Sequence, residues 1–218
     1  VRRKCIQMWI DISYPISNQL ALYPGDPAFS SSQQVYNVPN AAITTSEISC
    51  CLHFGTHTDA PLHFIANGKS IDQVDLESYI GLCQIIRVDL SQSKDKVIHP
   101  EHLPTIKAPR ILFASNTFDY YQPFNEQFAV LSAETIEILI AHNCCLIGVD
   151  TPSVDPFQDS SSNNHLQLLS NNIAIIEGLK LQNISAGLYQ MLAIPLAYQN
   201  LEASPLRVLI KPQGDSHA

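Results

Sequence analysis

Three histidines and one aspartate lie close together between residues 53 and 63 of the chain. They are His53, His57, Asp59 and His63. Imidazole and carboxylate groups together suit a borderline divalent cation such as Zn²⁺ or Mn²⁺. Gly55 permits the chain to curl back between the first two histidines, because glycine adopts backbone angles that other residues avoid. The spacing therefore predicts that His53, His57 and Asp59 can close on one ion.

A divalent cation held by this segment would support hydrolytic chemistry. Catalytic metal sites usually keep an open position for water, and a bound metal lowers the pKa of that water towards about 7. The remaining histidine is then free for proton transfer, a role that suits a side chain with an unperturbed pKa of about 6.5. The alternative is that these histidines are structural or simply exposed. The segment also lacks the helical zinc-protease pattern, so by itself it names no reaction.

Two residues far downstream are further candidate ligands. Glu177 follows an apolar run, and a carboxylate at the end of a buried strand is costly unless it is paired or bound to a metal. His165 lies in the polar stretch 160–165, where an exposed surface histidine is the alternative interpretation. The other histidines have no such context and are predicted to be ordinary surface residues: His99, His102, His142 and His217.

The elements that must position these side chains alternate between strand and helix. Ser132 is a good N-cap and is followed by an acidic residue in the first turn. The periodicity of the apolar residues after it predicts a helix that ends at about residue 142. A second helix is predicted over 160–170. Strands are predicted over 7–13, 42–54, 82–90, 111–115, 145–149, 174–177, 189–195 and 206–211. Residues 111–149 then form a strand–helix–strand unit, which favours one α/β domain built around a mixed sheet over residues 1–218.

Composition excludes several classes of partner. The 218 residues are 45% hydrophobic and carry a formal net charge of −8, without any block of basic residues, so nucleic acid and anionic membranes are not expected to bind. No apolar run approaches the roughly 18 residues of a membrane span. Charged residues make up only 15%, which favours burial of part of the surface in an oligomer. The six cysteines lie in apolar runs without a disulfide or zinc-knuckle spacing, which predicts reduced thiols and a cytoplasmic protein.

In the segment that holds the candidate ligands, the chain resembles the cyclase family of metal hydrolases, and within it the kynurenine formamidase (arylformamidase) branch. The segment His-Phe-Gly-Thr-His-Thr-Asp-Ala-Pro-Leu-His-Phe at 53–64 matches the family signature, which is highly specific. The resemblance covers almost the whole chain. It extends over further segments: 9–13, 23–26, 148–156, His165 with 175–178, and 203–207.

The resemblance implies a two-metal site in a swivelling α/β domain that usually assembles as a homodimer. His53, His57 and Asp59 would hold one ion, and Asp59, His165 and Glu177 the second. Zn²⁺ is the expected metal, with Mn²⁺ as the alternative. His63 would be the general acid and base. Tyr23 stands where the formamidases usually carry a large aromatic residue, often Trp, that packs on the substrate.

The reaction that the resemblance implies is the hydrolysis of N-formyl-L-kynurenine to L-kynurenine and formate, a step of tryptophan catabolism. A small aryl formamide would be the substrate, and His63 would pass a proton from the attacking water to the departing aniline nitrogen. Two alternatives remain open. One is an isatin-hydrolase-like or other cyclic or aryl amide hydrolase of the same family, and the other is a metal-binding protein without hydrolase activity.

Overall fold

A computed structural model of the chain describes residues 8–157 and 161–213, and their strands carry most of the architecture. The strands are β1 (Ile10–Asp11), β2 (Ser30–Val38), β3 (Ala41–Ser49), β4 (His57–Asp59), β5 (Ile80–Arg87), β6 (Val97–Ile98), β7 (Arg110–Ala114), β8 (Val130–Leu131), β9 (Leu146–Val149), β10 (Ala174–Glu177), β11 (Gly187–Leu192), β12 (Ala203–Pro205) and β13 (Leu209–Pro212). The α-helices are α1 (Ala133–Ala141) and α2 (Asn163–Ser170), and short 3₁₀ helices span Pro61–His63, Ile71–Gln73, Leu76–Tyr79 and Pro100–His102.

Nine of these strands form one mixed, curled sheet, the main sheet. Its strand order within the described ranges is β1-β13-β11-β5-β7-β9-β10-β4-β12. The four central strands β5, β7, β9 and β10 run parallel, whereas the strands on both flanks are antiparallel. Since the carboxyl ends of parallel neighbours lie at the same edge of a sheet, the residues that follow β9 and β10 lie close together.

The main sheet separates two hydrophobic cores. Along β7, Ile111 and Phe113 contribute to one core, and Leu112 and Ala114 contribute to the other, as the two-residue period of a strand requires. The first core is completed by α1 and α2, and the second by the curl of the antiparallel strands β11 and β13. All five residues of β7 are buried, which is typical of a parallel strand covered on both faces.

Helix α1 begins at the position that its cap predicts. The Ser132 side chain accepts a hydrogen bond from the backbone N–H of Thr135 at 3.2 Å, which satisfies one of the free donors of the first turn. Ile136 and Leu139 of the helix are fully buried against the sheet. No helix in the described ranges is both long and apolar enough to cross a membrane.

Strands β2 and β3 form a separate hairpin that stands away from both cores. Asn40 takes a positive φ of 65° in the tight connection, as such turns require. Every residue of both strands is exposed. The exposed large apolar side chains of this arm are Val35, Tyr36, Val38, Ile43 and Ile48.

Most predicted elements are confirmed, but one predicted strand is wrong over part of its range, and the strands β2, β4, β6, β8 and β12 were not predicted. The α/β class, the mixed sheet, the strand–helix–strand unit and the strand at 174–177 agree with the structure. The prediction of a strand over 42–54 is wrong beyond Ser49, because the chain leaves the hairpin there and loops back into the sheet. Strand β2 went unpredicted, since its Ser- and Gln-rich sequence has no buried face to impose alternation. Gln7, Cys5 and residue 160 lie outside the described residues.

Candidate metal centre

The short strand β4 places two predicted ligands beside a third. His57 and Asp59 lie two residues apart and therefore point to the same face of the strand. In the antiparallel pairing with β10, His57 lies directly opposite Glu177. Opposite residues of an antiparallel pair have their side chains close together. The register of β4 thus brings a histidine and two carboxylates together at the end of a buried strand.

Two glycines bring the neighbouring loops into contact. Gly55 has a φ of +73°, which is the curl that the sequence predicts between His53 and His57. Gly178, which follows Glu177, has a φ of +69° and packs on Gly55, so that a Cβ at residue 178 would lie only 2.4 Å from the Gly55 carbonyl oxygen. Any side chain at 178 would push the two loops apart. The close approach sets the spacing between the histidine segment and Glu177.

The inner group of candidate ligands consists of Asp59, His165 and Glu177. His165 Nε2 lies 3.2 Å from Asp59 Oδ2 and 3.2 Å from Glu177 Oε1. His57 Nε2 lies 3.3 Å from Glu177 Oε2 and adds a fourth candidate ligand atom, the second nitrogen, to the vicinity. All three members of the inner group are buried, so the interpretation of His165 as a surface residue is wrong. The first turn of α2 carries His165 to this position.

The outer group consists of His53, His57 and Asp59. Asp59 Oδ1 lies 3.0 Å from His53 Nδ1 and 3.6 Å from His57 Nε2. In each group, one ligand atom from every residue lies within 4.8 Å of the others. Because zinc ligands lie about 2.0–2.2 Å from the ion, atoms at such separations can share one cation. Asp59 belongs to both groups, so its two oxygens could bridge two ions.

The polar atoms of the cluster fit a metal on chemical grounds. His57 Nε2 and both carboxylate oxygens of Asp59 are buried, and in the described parts of the chain their contacts within the cluster do not have the geometry of hydrogen bonds. Unpaired buried groups of this kind are rare and costly in folded proteins. Nitrogen and carboxylate oxygen donors are what Zn²⁺ and Mn²⁺ accept. A divalent cation at each group would satisfy these atoms.

The histidines and carboxylates of the cluster stabilise one another's charged forms. Burial by itself would raise the pKa of Asp59, but the surrounding histidines, His165 and His53 foremost, hold that pKa well below its usual range. Burial would lower the pKa of His53, whereas the Asp59 carboxylate beside it raises the pKa to about 9. The pKa of Glu177 is lowered in spite of its burial and the nearby Asp59, because His165 and His57 favour its charged form. Two buried carboxylates are thus kept ionised, as a cation site requires.

Two of the histidines have an acceptor next to the ring nitrogen that points away from the cluster, and the sequence did not predict either acceptor. His165 Nδ1 lies 2.5 Å from Asp155 Oδ2, and the Asp155 carboxylate also accepts hydrogen bonds from the backbone N–H groups of Asn164 and His165. His57 Nδ1 lies 3.0 Å from the Gly55 carbonyl oxygen. Such outer partners fix the ring orientation of metal-ligating histidines. A signal for Asp155 was present, because it lies in the matched segment 148–156.

His63 lies beside the cluster and outside both groups of candidate ligands. The 3₁₀ helix Pro61–His63 places its ring 4.2 Å from that of His53 and 6.2 Å from that of His165, measured between centroids. The side chain is exposed on one side, yet enough protein surrounds the ring that burial lowers its pKa. His63 is therefore neutral at neutral pH and able to accept a proton.

Tyr23 forms part of a cavity of about 240 Å³ that opens onto the cluster. Its ring contacts two phenylalanines, with centroids 5.1 Å from Phe124 and 5.5 Å from Phe157. The Phe64 ring stacks on His165 at 4.2 Å. His53, His63, His165 and Glu177 line the same cavity. The structure thus brings all seven predicted site residues to one place, with an aromatic wall facing the candidate ligands.

Comparison with known proteins agrees with this arrangement. A kynurenine formamidase of Bacillus thuringiensis subsp. konkukian is 35% identical over 205 residues, which cover 94% of this chain and 97% of the relative. A structure from Bacillus stearothermophilus, described as a predicted metal-dependent hydrolase, has a TM-score of 0.75 at 27% identity and covers 94% of this chain and 98% of its own. Isatin hydrolase A from Ralstonia solanacearum shares the fold, with a TM-score of 0.78 at 22% identity over 94% of this chain and 92% of its own.

The family model described as "Putative cyclase" matches residues 10–156. This range contains the hairpin, strand β4, the histidine segment and Asp155. The match covers more than half of the chain, and the formamidase relative extends the likeness over almost all of it. The chain belongs to the cyclase family.

Proposed function

We propose that the protein is an arylformamidase that hydrolyses N-formyl-L-kynurenine to L-kynurenine and formate in tryptophan catabolism. The observation that carries the proposal is the convergence of two ligand groups on Asp59, with His63 beside them and an aromatic cavity in front. The relatives named kynurenine formamidase, at 34–35% identity over 94% of the chain, support this substrate over others.

We assign the ligands as two overlapping sets. His53, His57 and Asp59 hold one Zn²⁺, and Asp59, His165 and Glu177 hold the second; Mn²⁺ is the alternative metal. When bound, the ions polarise the formyl oxygen and lower the pKa of water. Glu177 Oε1 also accepts a hydrogen bond from the Val154 N–H at 2.8 Å, which holds this carboxylate in place.

The protein side chains divide the remaining work. His63, neutral and beside the ligands, takes a proton from the attacking water and returns it to the aniline nitrogen as the C–N bond breaks. The products are then the free aromatic amine and formic acid, which ionises to formate and releases one proton to the solvent. Tyr23 and Phe157, whose rings are tilted by 49° to each other, form an aromatic wall of the cavity on which the aryl ring packs. Stacking on this wall orients the formyl group towards the cluster.

A turnover assay tests the proposal directly. The purified protein, loaded with Zn²⁺, is supplied with N-formyl-L-kynurenine, and both kynurenine and formate are measured. We expect turnover that a chelator abolishes and added Zn²⁺ restores. Faster opening of isatin than of formylkynurenine would favour the ring-opening alternative, and metal binding without turnover of either would leave a binding protein.

We also propose that the protein acts as a cytoplasmic homodimer. The support for a dimer is the β2–β3 arm, whose exposed apolar side chains have no core of their own, since an isolated hairpin is marginally stable in water. The support for the compartment is that the described cysteines are free thiols: Cys50, Cys51, Cys83, Cys144 and Cys145. Light scattering should give about twice the chain mass of 24.1 kDa, and Ile43→Asp should lower it.

A further inference from the structure

The three histidines of the cluster differ in the group that contacts the ring nitrogen pointing away from the carboxylates. Each has one ring nitrogen near the carboxylates and one that points away. For His57 the outward nitrogen lies 3.0 Å from the Gly55 carbonyl, and for His165 it lies 2.5 Å from Asp155. An outward partner of this kind decides which nitrogen carries the proton and which is left for the metal.

His53 is the histidine whose outward nitrogen lacks a formed hydrogen bond. Its Nδ1 lies 3.0 Å from Asp59 Oδ1, so Nδ1 is the nitrogen on the metal side. Its Nε2 is buried and has no hydrogen-bond partner in the ranges that the structure describes. An acidic oxygen, Glu202 Oε1, lies 3.6 Å from this Nε2, just beyond hydrogen-bonding distance.

The backbone holds Glu202 in place beside the cluster. Its carbonyl oxygen accepts a hydrogen bond from the Ala60 N–H at 2.8 Å. The next residue, Ala203, begins β12 and pairs with Asp59 on β4. The side chain itself is 37% exposed, so a small rotamer change can close the remaining gap to His53. Glu202 is thus fixed at its main chain and adaptable at its carboxylate.

We propose that Glu202 is the positioning residue of His53. Its carboxylate accepts a hydrogen bond from His53 Nε2–H, which keeps the proton on Nε2 and leaves Nδ1 for the ion of the outer group. Asp155 plays the same part for His165 in the inner group. The inference rests on the metal assignment of the proposed function, but it concerns metal affinity and not turnover.

Zinc titration of the metal-free protein against a competing chelator tests this role. The wild-type chain should bind two ions. In Glu202→Ala, the outer-group ion should bind about 10–100-fold more weakly, and the inner-group ion should be unchanged. Glu202→Gln should retain most of the affinity, because an amide oxygen can still accept from Nε2–H. Asp155→Ala should show the opposite selectivity, because it removes the acceptor for His165 Nδ1–H, and the exposed Glu126→Gln should match the wild type.

A spectroscopic measurement separates positioning from general stabilisation. In the zinc-loaded wild type, ¹⁵N shifts should show that the proton of the His53 ring is on Nε2. In Glu202→Ala, the signal of this Nε2–H should disappear or be broadened by exchange. Two tightly bound ions in Glu202→Ala, or an equal loss of both ions, would overturn the proposal. A wild-type protein that binds two ions but leaves formylkynurenine intact contradicts the proposed function alone.

Discussion

The inner and outer groups of the candidate metal centre share Asp59 but are built in different ways. The inner group stands on the end of a parallel strand and the start of α2, and its residues His165 and Glu177 are 4% and 3% exposed. The outer group depends on the loop before β4, and the His53 side chain is 18% exposed, with its partner Glu202 at the rim. The inner position is therefore the more enclosed of the two, whereas the outer one is partly exposed at His53.

The largest effect should follow from the residue that the two groups share. In Asp59→Asn, one carboxylate oxygen is replaced by an amide nitrogen that cannot bind a cation, so both ions should be lost. Formamidase turnover should then fall further than for any other single change described below. Metal analysis by mass spectrometry gives the ion count, and circular dichroism checks the fold. Retention of one ion at wild-type affinity would show that Asp59 does not bridge.

His57 and His63 separate metal binding from proton transfer. His57→Ala should lose metal and turnover together, because its Nε2 faces both carboxylates of the cluster. His63→Ala should keep its metal while turnover falls by about 10²–10⁴-fold, the usual cost of losing a general acid and base. Metal content and initial rates of both variants decide the assignment. A metal-depleted His63→Ala would make His63 a ligand.

Removal of metal from the wild-type protein should expose the asymmetry between the groups. An ion in the outer group would be held by a histidine whose side chain is 18% exposed, so it should leave first when a chelator is added. We expect two phases that differ in rate by about ten-fold or more, the scale that outer partners of metal ligands usually contribute. Stopped-flow measurement with a chromogenic chelator follows both. A single phase that releases two ions would mean that the groups are equivalent.

The inner and outer groups also differ in how far the sequence predicts them. The outer group follows from local spacing, because His53, His57 and Asp59 lie in one segment around Gly55. The inner group joins β4 to residues more than a hundred positions away, and spacing alone left His165 open between ligand and surface. Only the family resemblance joined these segments. Asp155 lies in a loop and Glu202 lies just before the edge strand β12. The sequence has no periodic pattern in these segments that would predict which residues they contact.

A smaller effect is expected at the aromatic wall, away from both groups. Tyr23→Ala removes an aromatic ring from the cavity lining, and a contact between that ring and the aryl ring of the substrate would contribute about 0.5–1.5 kcal/mol to binding. The Michaelis constant for formylkynurenine should therefore rise by about 2–10-fold, with metal content unchanged. Tyr23→Trp should restore or improve binding. An unchanged Michaelis constant in Tyr23→Ala would remove Tyr23 from the substrate site.

The smallest effect is expected behind β4, where Tyr79 supports both groups at once. Thr58 lies between the candidate ligands His57 and Asp59 and points to the opposite face of the strand, where its hydroxyl donates to the Ile175 carbonyl at 2.5 Å. Since this donation uses the only hydroxyl hydrogen of Thr58, the Tyr79 hydroxyl at 3.1 Å must be the donor to Thr58 Oγ1. Burial raises the pKa of Tyr79 to about 12, so the phenol remains protonated.

Tyr79→Phe removes this donor but leaves Thr58 bonded to Ile175, so no buried donor is orphaned. The free energy of unfolding should fall by about 1 kcal/mol, which for a chain of this length lowers the Tm by about 2–4 °C. Because β4 carries ligands of both groups, zinc affinity should change equally and slightly at the two positions. Calorimetry and the zinc titration measure both quantities. A selective loss of one ion would instead show that the strand is not a common rigid support, and the difference between inner and outer groups would then begin in β4 itself.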